Sequence, residues 1–166
     1  MDFKTKRSIP IGDLSRPAGL MENPNFRRWF GDSKAVDLSG APLVLYHGTA
    51  SEFSEFSIGE AWGDGEAGAF FSGCPKAVEE YAKRDGGNIL PVFLSIQNPY
   101  ETTADEWDNG ESSSIDAVKS QGLNDGYVIR GWAGHDDAWV AFYPDQIKSA
   151  IGNRGKFEPG TPDITE

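Results

Sequence analysis

The chain has one cysteine, Cys74, and two histidines among its 166 residues. A lone thiol leaves no internal disulfide, so a small bridge-stapled scaffold is excluded and a reducing compartment is the simplest home. Two histidines and one cysteine without ligand spacing make no zinc site unless distant carboxylates join them, so no metal is expected. Basic residues are scarce, 15 against 26 acidic, for a formal charge of −11. That balance argues against a groove that grips a phosphate backbone by counterion release. No stretch approaches the roughly 20 apolar residues of a membrane span, and residues 1–12 lack the apolar core of a signal peptide. A phosphate-cradling GxxxxGK[ST] loop is missing too. Gly63, Gly65 and Gly68 fit the GxGxxG spacing in letters only, because no strand precedes them.

What is present fits one compact domain. Residues 1–22, rich in proline, glycine and charge, read as an extended arm or linker. Asn23 and Pro24 then supply a cap and an N1 proline, Phe26, Trp29 and Phe30 make one apolar face, and Gly31 ends a short helix. The apolar run from Leu43 to Tyr46 reads as a buried strand that delivers His47, Gly48 and Thr49 at its end. Residues 59–68, with four glycines among three acids, are a candidate mobile loop. Residues 68–72 read as a strand, a helix runs from Pro75 through Ala82, and residues 90–96 form a strand closed by Asn98 and Pro99. The polar stretch 101–114 has room for one helical turn. A helix over 115–121 and strands over 126–130 and 139–143 follow, with 147–151 extending the sheet. The tail 153–166, rich in glycine and proline, is expected to be loosely held. Strands outnumber helices without βαβ alternation, which predicts an α+β domain over 23–152.

By itself a histidine at a strand end suits a structural role as well as a nucleotide pocket. The order of pieces adds more: His47-Gly48, then Gly68-Ala69-Phe70-Phe71-Ser72, then Tyr81 on a helix, then Trp139-Val140-Ala141-Phe142. This resembles the ADP-ribosyltransferases of the diphtheria-toxin and poly-ADP-ribose-polymerase type. From Phe26-Arg27-Arg28-Trp29 to Gln146-Ile147-Lys148-Ser149-Ala150 and Gly152-Asn153-Arg154-Gly155, the chain is similar to the ADP-ribosyltransferase domains of bacterial and phage polyvalent proteins.

The resemblance implies a split β-sheet sandwich with short flanking helices and NAD as substrate. It places His47 on a ribose, Gly48 backbone groups and Thr49 near the nicotinamide amide, Phe70 in the stacking slot with Phe71 and Ser72 beside it, and Tyr81 as a second aromatic. Trp132 and Asp136 fall where relatives recognise an acceptor. It also implies a toxin or effector, cytoplasmic or delivered into a target cell. The macromolecular acceptor is expected to be a protein rather than RNA, and an immunity protein is a possible partner.

One position departs from the pattern. The family's catalytic glutamate, eight residues before the position of Gln146, falls on Ala138. A methyl group cannot hold a ribose hydroxyl or stabilise an oxocarbenium-like transition state. The resemblance therefore implies a transferase that binds NAD and turns it over poorly. An engineered Glu→Ala change would account for this. So would a natural nucleotide-binding module, and an NAD glycohydrolase stays open as the related activity.

Overall fold

The computed structural model describes residues 19–49, 53–58, 68–83, 87–133 and 136–166. The segment before Gly19, nearly all of residues 59–68, and Gly134 and His135 lie outside the described residues.

Helix α1 (Pro24–Phe30) forms as the sequence signals require: the Asn23 side chain accepts from the Asn25 N–H, Pro24 fills the first turn, and Gly31 closes the helix. Then come β1 (Leu45–Thr49), β2 (Ala69–Ser72), α2 (Pro75–Lys83), β3 (Asn88–Leu94) and β4 (Pro99–Thr103). Two short helices, α3 (Ala104–Asp108) and α4 (Ile115–Gln121), precede the β5 (Gly126–Ala133) and β6 (Asp136–Ala141) hairpin. A 3-10 turn (Pro144–Gln146) leads into β7 (Ile147–Ser149).

The strands form one seven-stranded sheet in the order β4-β5-β6-β2-β1-β3-β7, antiparallel except for the β4–β5 pair. Among the described residues the two halves, β4-β5-β6-β2 and β1-β3-β7, meet through a single pair, Tyr46 opposite Ser72. The α+β class and the division of the sheet follow the expectation.

Alternation on β6 explains how the layers are covered. Trp139 and Ala141 join Leu45, Phe71, Val92, Leu94 and Val128 in the main core, while Ala138 and Val140 turn to the other face under Ile115 and Val118 of α4. A third cluster packs Phe26, Trp29 and Phe30 of α1 against Phe93 and Phe157.

Three expectations need correction. Pro99 does not end a strand. It begins the edge strand β4, where a missing N–H is tolerated at the first position. The arm reading fails at its last residues, since Leu20 is buried in the α1 cluster. The segment after Asn153 is not loose: Phe157 and Ile164 are buried, and Ile164 donates its N–H to the Ser54 carbonyl and accepts from the Ser149 N–H. A fully buried lysine, Lys148, donates to the carbonyls of Thr161 and Asp163, which fixes that segment to β7.

Candidate active site

The end of β1 is shaped by its neighbours on both sides. Tyr46 lies opposite Pro91 of β3. Pro91 has no N–H, and its carbonyl accepts from Ala150 on the far side, so this is a non-bonded pair of the antiparallel ladder. The bonded pairs are then Leu45 with Val92, His47 with Leu90 and Thr49 with Asn88. Gly48, one residue out of phase, turns its N–H and C=O away from β3 and toward β2.

On that side the ladder has already parted. The next pair after Tyr46 and Ser72 would set Gly48 opposite Phe70, but the Phe70 carbonyl is taken by His47 Nδ1 at 2.7 Å. A carbonyl only accepts, so Nδ1 carries the proton and the neutral ring keeps its lone pair at Nε2. The imidazole thus replaces a backbone rung. It leaves a donor and an acceptor of Gly48 facing the seam between the two half-sheets.

Glycine is required at position 48 for a second reason. A Cβ there would lie 2.1 Å from the Val78 carbonyl oxygen and 3.1 Å from the Tyr81 Cβ, so α2 sits directly on the strand. Tyr81 therefore stands beside Gly48, with its side chain exposed.

The predicted residues do not share one face. Paired residues point the same way, so Ser72, Ala138 and Ile129 lie side by side, and Phe70 is on the same face beside Val140. His47 points to the opposite face, where its ring meets Phe71 at 5.2 Å between centroids. Phe70 is half-buried, whereas Phe71 and Ser72 are each 1% exposed. Phe71 is a core residue, which corrects its reading as a nucleotide contact. The Ser72 hydroxyl is likewise turned inward, accepting from the Cys74 N–H at the start of α2.

Ala138, also 1% exposed, sits in the apolar cluster with Ile129, Val140 and Ile115. Among the described residues no carboxylate takes over its place. Asp137 points to the opposite face, where it pairs with Arg130 at 2.7 Å and accepts from the Gly131 N–H. Arg130 also reaches Glu101 and lies over the Trp139 ring. Asp136 is exposed, with its Oδ1 3.4 Å from where a Gly73 Cβ would be, and Trp132 is half-buried against the α4 cluster. Thr49 closes β1 opposite Asn88. Among the described residues no three His, Cys, Asp or Glu side chains gather as a metal site, and no helix is long and apolar enough to cross a membrane.

The motif after β6 has a structural explanation. Gln146 Oε1 accepts from the Phe142 and Tyr143 N–H groups, and its Nε2 donates to the Ser95 and Asp125 carbonyls. Lys148 holds the C-terminal carbonyls, and Asn153 donates to those of Ile164 and Glu166. These residues organise the chain rather than touch the seam.

The family model for ADP-ribosyltransferases in polyvalent proteins matches residues 37–157. The chain belongs to that family. The match runs from the turn before β1 to the segment anchored by Lys148, and so takes in every element of the sheet. No curated protein and no solved structure matches this ADP-ribosyltransferase domain.

Proposed function

We propose that this ADP-ribosyltransferase domain binds NAD with its nicotinamide in the seam between β1 and β2, to transfer ADP-ribose to a macromolecular acceptor. The observation that carries the reading is the pair of Gly48 backbone groups turned toward the seam. A neighbouring N–H and C=O complement a carboxamide, the group that nicotinamide presents. Phe70, across the seam, offers an aromatic face for the pyridine ring, and Tyr81 beside Gly48 supplies the second aromatic. His47 Nε2 is free in chemistry to accept from a ribose hydroxyl. Trp132 and Asp136, at the turn of the β5–β6 hairpin, would meet the acceptor, a protein in this reading. A toxin or effector role with an immunity partner fits such a transferase.

Cleaving the nicotinamide–ribose bond builds positive charge at the anomeric carbon, and position 138 carries nothing to stabilise it. The chain as written therefore binds NAD and releases nicotinamide slowly. This absence of a carboxylate is also what favours the second reading, a module that binds NAD or ADP-ribose without catalysis.

The test is the Ala138→Glu variant incubated with labelled NAD and a cell lysate. We expect nicotinamide release to rise on the order of 10²-fold or more, with label appearing in a macromolecule. Free ADP-ribose alone would identify a glycohydrolase. Tight NAD binding without turnover in either form would leave the binding module. No NAD binding in either form would sink the proposal.

A further inference from the structure

The surroundings of His47 include two residues that no motif singled out. Phe56, buried, meets the imidazole edge-on at 5.0 Å, and half-buried Phe53 does so at 6.4 Å. Phe53 and Phe56 pack against each other at 4.7 Å in a T-shaped arrangement, and Phe56 lies 5.6 Å from Phe71. Three aromatic rings therefore stand around the imidazole while the Phe70 carbonyl holds Nδ1. An apolar enclosure of this kind disfavours the imidazolium. Burial lowers the His47 pKa from the ordinary 6.5, against the weaker opposite pull of the Phe70 hydrogen bond.

The free end of the ring is accessible. Nε2 has no hydrogen-bond partner among the described residues, yet none of their buried side-chain nitrogens or oxygens lacks one. Nε2 must therefore lie at accessible surface, with its lone pair outward.

We propose that Phe53 and Phe56 are positioning residues which, with the Phe70 carbonyl, keep His47 a neutral acceptor at Nε2, so that the site selects a ribose whose hydroxyl donates to it. This rests on the NAD reading above. A fluorine in place of that hydroxyl accepts weakly and cannot donate, so it would set electron pair against electron pair. The chemistry that the site requires of its ligand is thus the O–H bond itself, not merely a small polar substituent.

Two measurements on the full chain test this. In protein labelled with ¹⁵N-histidine at neutral pH, His47 is assigned by its absence from a His47→Asn variant. Its Nδ1 should be protonated and its Nε2 bare. Phe56→Leu, and separately Phe53→Leu, should raise the His47 pKa toward its ordinary value while the chain stays folded. In calorimetric titrations with NAD and with analogues fluorinated at the 2′ position of either ribose, one analogue should bind about five- to tenfold more weakly than NAD, the value of one ordinary hydrogen bond. His47→Ala should erase that difference. The proposal is overturned by a proton on Nε2, by a His47 pKa indifferent to both phenylalanine variants, or by two analogues that bind as well as NAD. If NAD itself fails to bind while Nδ1 proves protonated, the nucleotide reading has failed, and the caging of His47 has not.

Discussion

His47 Nδ1 donates to the Phe70 carbonyl at 2.7 Å, and this side-chain bond stands where β1 and β2 would otherwise exchange backbone bonds. It keeps the sheet divided and sets the protonation state of the ring that faces the opening.

The lowered His47 pKa gives stability a defined pH dependence. Between the folded value and the ordinary one the unfolded chain binds more protons, so stability rises with pH through that window. The contribution is complete above about pH 6.5 and is lost as pH falls through the folded value. His47→Asn keeps a donor near the Nδ1 position but does not titrate. Denaturation midpoints between pH 7 and pH 5 should fall further for the parent than for this variant, and parallel curves would refute the account.

Gly48→Ala should be costly although the added group is only a methyl. Its contact at 2.1 Å is with backbone of α2, which must shift as a unit. We expect a loss of about 3 kcal/mol, at the upper end for overpacking, measured by urea denaturation, together with loss of NAD binding. An alanine variant of unchanged stability would mean that α2 does not rest on the strand.

Ala138→Glu bears on stability separately from catalysis. The Cβ lies between Ser72 and Ile129 at 1% exposure, so a carboxyl there is held partly out of water and its pKa rises. A raised carboxyl pKa costs stability once pH exceeds the ordinary glutamate value, about 4.3. The variant should therefore fall short of its parent by more at pH 7 than at pH 4. Equal deficits at both would show that the new side chain reaches water.

Lys148→Met should loosen the C-terminal segment. Removing the ammonium strands the carbonyls of Thr161 and Asp163, and buried unsatisfied groups cost about 1–3 kcal/mol each. Limited proteolysis should cut the variant between Gly152 and Glu166 well before the parent. Equal resistance would assign the anchoring to Phe157 and Ile164 alone.

Much of this arrangement was legible in the sequence because it rests on local rules. Asn23, Pro24 and Gly31 announce α1, and the period-two runs around Tyr46, Phe71 and Val140 announce their strands. Edge strand β4 escaped because only one of its sides pairs, so Tyr100, Glu101 and Thr103 remain polar or partly exposed. The C-terminal anchoring escaped for another reason: it depends on contacts far apart in sequence, such as Ser54 with Ile164 and Asn23 with Gly155. At the candidate site, His47 bonds the Phe70 carbonyl next to Gly48, while pleating sends Phe71, which adjacency in the motif groups with Phe70, to the other face. Phe53 and Phe56 carried no signal beyond being aromatic and three apart.

The single pair that joins the half-sheets among the described residues, Tyr46 with Ser72, has a mechanical consequence. Elsewhere the strands are laced by several pairs, as in the five that join β1 to β3, so each half-sheet behaves as a stiff plate while the line between them resists shear mainly through packed side chains. Under native conditions, amide protons of Tyr46 and Ser72 should exchange with solvent well before those in the middle of β3 or β6. The domain would then breathe along a single fold line, and that line passes through the imidazole of His47.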